Sequence, residues 1–179
     1  MHRAAWLCWL ALLPLPAGAA ELTLCYHYGC DQQRRVELGE DALSWMQQRL
    51  QAADSAAGER QALQDVVLAF YQLAAQQAPI ATDRGGNNED ARLAGRMDCI
   101  DHSHNIAQLL QLLQQRQWLH YHHSTGTVYR APLLFNQHYA VGLEAIDSGE
   151  RWVIDGWPRD FGAPPLVVPL ALWKEGFSP

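Results

Sequence analysis

Apolar residues recur at helical spacing in three stretches of the chain. Leu38, Ala42, Trp45, Met46 and Leu50 predict a helix over 38–53. Ala62, Val66, Ala69, Phe70 and Leu73 predict a second over 57–78, which Pro79 ends. A third is predicted over 99–115, with Ile106, Leu109, Leu110 and Leu113 as its buried stripe and Asp98 placed to cap it. The polar stretch 80–97 between the last two contains Arg84-Gly85-Gly86-Asn87-Asn88, a turn signal. A loop of this length is either ordinary surface or the wall of a functional site.

After residue 115 the pattern shifts to extended structure. Strands are predicted over Trp118–His123, Thr127–Phe135, His138–Ile146 and Arg151–Trp157, with a turn at Asp147-Ser148-Gly149. The tail carries Pro158, Pro164, Pro165 and Pro169 around a short apolar run, Leu166 to Leu172. There is no internal repeat. Helices first and strands after predict an α+β fold, with the helices packed on an antiparallel sheet.

The first residues change the picture of where the protein works. His2 and Arg3 precede an apolar run from Ala4 to Leu15, and Ala17-Gly18-Ala19 fits a small-x-small cleavage site. Residues 1–19 are therefore expected to be a signal peptide and 20–179 one domain. The run is short for a membrane span, so no stable anchor is expected; an uncleaved anchor is the alternative. The formal net charge is -6 and no Lys/Arg cluster is present, which argues against nucleic acid as a partner.

Export permits disulfides. Once the leader with Cys8 is removed, Cys25, Cys30 and Cys99 remain. Cys25 and Cys30 flank Gly29 in a short segment and are read as a disulfide; free or metal-binding thiols are the alternative. That leaves Cys99 as the unpaired thiol.

Cys99 falls at the predicted start of a helix. Helix amides without internal partners point outward there and favour negative charge, so a lowered thiol pKa and an oxyanion site are expected. His138 opens a strand whose same-face neighbours, Ala140 and Gly142, are small. Asp155 closes the next strand and is placed to orient the imidazole. Cys99, His138 and Asp155 thus read as nucleophile, base and orienter. The bland alternatives are an inert buried cysteine, a core or surface histidine, and a turn or capping aspartate. Asn87 and Asn88 are candidates to donate to substrate or oxyanion.

The catalytic reading carries a geometric condition. A two-residue turn at Ser148-Gly149 would set Asp155 opposite Gly142, about 13 Å along the strand from His138 at about 3.3 Å per residue. The hairpin must therefore have a looser connection, of about four to six residues.

Three stretches, Gly95-Arg96-Met97-Asp98-Cys99-Ile100-Asp101, His138-Tyr139-Ala140-Val141 and Trp152-Val153-Ile154-Asp155, together resemble the transglutaminase-like branch of the papain-like cysteine peptidase superfamily. The resemblance spans about residues 95–157 and extends to exported bacterial proteins with a Met-Asp-Cys-Ile-Asp core. It implies a papain-like domain that breaks or exchanges amide bonds through a thioester, without a cofactor. Export then suggests a peptide, protein or peptidoglycan-peptide substrate.

Two rival classes stand beside it. The histidines His102, His104, His120, His122 and His123, with Asp98, Cys99 and Asp101, admit a metal site. No HExxH or paired CxxC spacing supports one, and His102 and His104 do not share a helix face, whereas His120 and His122 would share a strand face. The other rival is a non-catalytic module that keeps the fold and binds a partner.

Overall fold

The structure, a computed structural model, describes residues 18–87, 89–91, 93–132 and 137–177. The predicted leader, apart from Gly18 and Ala19, and Asn88 lie outside the described residues. The architecture is α+β, as expected, with two antiparallel sheets and four α-helices among the described residues. No described helix is long and apolar enough to cross a membrane.

The chain opens with a hairpin that the helical spacing around Leu38 obscured. Strand β1 (Ala20–Tyr26) pairs with β2 (Gln32–Leu38), and Leu38 is the last residue of β2. Gly39 then caps α1 (Glu40–Gln51). Helix α2 (Ala56–Ala75) starts at Ser55, whose hydroxyl accepts the Gly58 N–H. Helix α3 (Cys99–Gln115) has the boundaries its sequence predicts.

The second sheet is ordered β3-β4-β5-β6: β3 (His122–Arg130), β4 (His138–Ala145), β5 (Arg151–Asp155) and β6 (Leu166–Pro169). Among the described residues the two strands expected over 118–135 are one strand, kept continuous by a bulge between Ser124 and Gly126; residues 133–135 lie outside the described residues. Residues 118–121 lie outside the strand: the buried Glu59 carboxylate takes the N–H groups of His120 and Tyr121, although the Tyr121 carbonyl still accepts the Ile146 N–H. The apolar tail divides into β6 and the short helix α4 (Leu170–Lys174), with Trp173 wholly buried.

Helix α3 lies at the centre. Ile106, Leu109, Leu110 and Leu113 join one apolar core with Leu24 and Val36 of the hairpin, Leu43 and Met46 of α1, Val66 and Phe70 of α2, and Val141, Leu143 and Ile154 of the larger sheet. The opposite face of that sheet holds a smaller cluster of Ala140, Val153, Leu166, Val168 and Trp173.

A two-stranded sheet has two open edges, and open edges leave backbone groups unpaired. Side-chain amides close them here. Asn105 of α3 accepts the Cys25 N–H at 2.7 Å and donates to the Cys25 carbonyl at 2.8 Å. Gln108, three residues on along the helix, does the same for Thr23. Gln77 does so for Glu37 on the far edge. The Gln-rich sequence, which reads as a solvated helix exterior, supplies these strand-like caps.

Asn105→Ala leaves two buried backbone groups of Cys25 unsatisfied, at about 1–3 kcal/mol each. The unfolding free energy from denaturant titration is expected to drop by about 2–4 kcal/mol. A loss no larger than that of the half-exposed Gln108→Ala contradicts the edge-capping account.

Candidate active site

The site assembles where the start of α3 meets the start of β4. Asp98 is the N-cap: one side-chain oxygen accepts the N–H groups of Ile100 and Asp101, and Asp101 returns a bond to the Asp98 N–H. This reciprocal box fixes the first turn, and with it the position of Cys99. It also narrows an expectation. The amides of Ile100 and Asp101 are already taken, so among the first three helical N–H groups only that of Cys99 remains for an oxyanion.

The hairpin loop locks the same helix end from outside. His27, Tyr28 and Cys30 adopt left-handed backbone, at φ 70°, 53° and 62°, with Gly29 at 65°. Only glycine adopts that conformation freely, so the loop must be held. The Cys25–Cys30 disulfide closes it, with the Cα atoms 4.6 Å apart. Gly29 N–H donates to Asp98 and Cys30 N–H to Asp101, at 3.0 and 2.7 Å. Asp101 is buried, and burial pushes its carboxyl up to about 6 against the pull of these hydrogen bonds.

Strand register brings the other two residues together. Val141 faces Ile154 and Gly142 faces Val153, so the same register continued by one residue sets Asp155 level with Ala140. His138 is then two residues away on the same face, a diagonal neighbour. The connection between the last paired residues, Glu144 and Arg151, runs from Ala145 to Glu150, the looser turn this geometry requires. His138 Nε2 lies 2.6 Å from Asp155 Oδ2. An ionised carboxylate only accepts, so Nε2 carries the proton. The other nitrogen, Nδ1, is buried and has no hydrogen-bond partner among the described residues, Cys99 included.

The surroundings of this pair were not legible in the sequence. Trp173 Nε1 donates to the same Asp155 oxygen at 2.9 Å, and Trp157 N–H donates to the other oxygen at 3.2 Å. The rings of Trp157 and Trp173 lie 4.9 and 5.5 Å from the His138 ring. Arg130, opposite His138 in the register, stacks on Trp173 and donates to the carbonyls of Trp173 and Phe177. Its charge also faces Asp155, while burial lowers its pKa. Trp157 was within reach of sequence reasoning as the neighbour of Asp155. Nothing in the single sequence marked Trp173 or Arg130, because the return of the tail onto β5 places the one and the pairing of β3 with β4 the other.

Cys99 is half-buried, and it is the free cysteine among the described residues. The backbone N–H of Tyr139, the residue after His138, faces its sulfur. That contact and the helix start favour the thiolate. Burial outweighs them, and the charges of Asp98 and Asp155 add to it, so the thiol pKa is raised. This corrects the expectation of a lowered pKa: the helix terminus is real, but desolvation and two carboxylates override it.

The loop before Cys99 forms one side of this region. Gly86 N–H donates to the Trp157 carbonyl at 2.8 Å and Gly85 N–H to Asp160 at 2.9 Å. A Cβ on Gly85 would fall 2.6 Å from the Arg159 backbone, so only glycine permits this approach. The Tyr28 hydroxyl lies between two acceptors, the Asn87 carbonyl and an Asp90 carboxylate oxygen, which share its one proton. The Asn87 side-chain oxygen accepts the Glu89 N–H, which commits it to the loop's own turn.

Of the other histidines, His102, His122 and His123 have side-chain partners. His102 lies between Tyr71 and Asp83, and His122 between Glu59 and Arg60. His123 lies 3.8 Å from Glu144. His120 precedes β3, so it shares no strand face with His122. Cys25, Cys30 and His104 bring three donor atoms within 4.8 Å, two of them the sulfurs of the disulfide. No family model, curated protein or solved structure matches the chain.

The raised thiol pKa fixes a pH dependence. Iodoacetamide alkylation of Cys99 is expected to be slow at mildly acidic pH and to rise with an inflection above the ordinary cysteine value of about 8.5. An inflection below that value contradicts the dominance of burial over the helix terminus.

Proposed function

We propose that the protein is a cysteine-dependent acyl-transfer enzyme with a papain-like, transglutaminase-like domain. The observation that carries this reading is the buried imidazole of His138. One nitrogen is bound to Asp155, the other has no partner, and a half-buried thiol starts a helix beside the same strand.

In the resting state Cys99 is held as the thiol by burial, and His138 Nδ1 is without a hydrogen-bond partner among the described residues. As the Cys99 sulfur attacks an amide carbonyl, its proton passes to His138 Nδ1. Asp155 stabilises the imidazolium that forms and holds the ring in place through Nε2. The Cys99 N–H at the helix start meets the developing oxyanion. Collapse of the tetrahedral intermediate breaks the C–N bond, and the imidazolium returns its proton to the leaving amine. A thioester on Cys99 remains. Water arriving second gives hydrolysis and an amine gives transamidation, with the acyl-enzyme common to both.

The apolar N-terminal run with its small-x-small site, together with the Cys25–Cys30 disulfide, supports action outside the cytoplasm, periplasmic or secreted, on a peptide, protein or peptidoglycan-peptide substrate.

Acylation by p-nitrophenyl acetate tests the chemistry without knowledge of the substrate. A burst of p-nitrophenolate and an acetyl group on Cys99 by peptide mass spectrometry are expected. Cys99→Ala should abolish both, and His138→Ala should slow the burst by about 10²-fold or more. Equal rates with and without His138 contradict the mechanism and favour a non-catalytic binding module.

A further inference from the structure

A second buried histidine lies one helical turn behind the nucleophile. His102 follows Cys99 by three residues on α3, so the two are neighbours along the helix surface. Its ring is fully engaged. Nδ1 is 3.1 Å from the Tyr71 hydroxyl and Nε2 is 3.0 Å from Asp83 Oδ2. One tautomer satisfies both: Nε2–H donates to the carboxylate and the Tyr71 hydroxyl donates to Nδ1.

The contacts of this network reach both halves of the candidate active site. On the strand side, Gly156 lies against the ring, and a Cβ there would fall 2.7 Å from His102 Nδ1 and 3.1 Å from Ile106 Cδ1. Gly156 directly follows Asp155 and precedes Trp157, the two residues that meet His138. On the nucleophile side, Asp83 also accepts the Met97 N–H at 2.8 Å, two residues before Cys99. The Asp83 carbonyl accepts the Phe161 N–H at 3.2 Å, beyond Trp157 on the same segment. A small cavity lined by Tyr71, Asp83, Met97, His102 and Gly156 adjoins the network.

We infer that His102, held by Asp83 and Tyr71, is a positioning residue: its imidazole is the surface against which the Asp155-Gly156-Trp157 turn is set, so that it fixes the Asp155 carboxylate relative to His138 and Cys99. The inference rests on the reading of Cys99, His138 and Asp155 as a triad. It assigns His102 no contact with substrate. A carboxylate displaced by even part of an ångström orients the imidazole less well, and misplacements of this size cost catalysis steeply.

A double-mutant cycle on Gly156→Ala and His102→Ser tests it. Two readouts are taken: the low-field N–H proton of His138 that faces Asp155, by NMR, and the acetylation rate of Cys99. Each single variant is expected to move the His138 resonance and to slow acetylation by about 10-fold or more. In the His102→Ser background Gly156→Ala should have little further effect, because the imidazole it collides with is gone and the remaining contact, at 3.1 Å, is with the flexible end of the Ile106 side chain. A merely structural role would lower the melting temperature but leave the His138 resonance of the folded protein in place. Folded His102→Ser with an unchanged resonance, or effects of the two substitutions that add independently, overturns the inference. If His102→Ser does not fold, Asp83→Asn, which keeps the side-chain size, is read the same way: a shifted resonance is expected and an unchanged one overturns it. The resonance is also read in Cys99→Ala, where nothing can be acylated. Absence of acetylation in the wild type therefore counts against the enzymatic reading, while the resonance still decides the role of His102.

Discussion

The carboxylate of Asp155 is 1% exposed, and the arrangement of the larger sheet follows from what a buried carboxylate needs. Taken out of water, it must be met by hydrogen-bond donors or opposite charge. It receives His138 Nε2, Trp173 Nε1 and the Trp157 N–H, with the Arg130 charge nearby. Each donor comes from a different element. His138 requires the β4–β5 register that puts it diagonal to Asp155. Trp173 requires the tail to pair as β6 and turn into α4. Arg130 requires β3 alongside β4, and it ties α4 down through two carbonyls. A structural demand for donors thus leaves one imidazole nitrogen without a partner among the described residues, and that nitrogen is the base in the mechanism we propose.

The nucleophile is held by a separate set of contacts. Asp98 and Asp101 fix the first turn of α3, and the disulfide-closed loop in left-handed backbone bonds to both. Burial opposes what the helix terminus would do to the Cys99 thiol, and the charges of Asp98 and Asp155 oppose it further. The site is therefore one in which firm positioning and an activated resting thiolate are in conflict, and positioning wins. In the mechanism we propose, deprotonation is therefore left to the moment of attack, with Nδ1 of His138 as the acceptor.

Much of this was legible in the sequence, and the exceptions have physical reasons. The three residues Cys99, His138 and Asp155 stood out because helix start, strand start and strand end are local features. Helix α3 matched its predicted limits because its cap and its apolar stripe agree. The β1–β2 hairpin was missed: residues Gln32–Arg35 are charged or amide-bearing and carry no alternation, and their pairing depends on caps from Asn105 and Gln77, far away in sequence. Trp173 and Arg130 were invisible for the same reason. The sign of the Cys99 shift was misjudged because a single sequence displays the helix terminus but not the burial.

The central claim is that the His138 Nε2–H faces Asp155, while Nδ1, buried without a partner among the described residues, is the proposed acceptor of the Cys99 proton. Nitrogen-15 NMR of the labelled imidazole reads this directly at neutral pH. The account predicts one protonated nitrogen, Nε2, coupled to a low-field proton, and an unprotonated Nδ1. A proton on Nδ1, whether in the opposite tautomer or in an imidazolium paired with a thiolate, contradicts it.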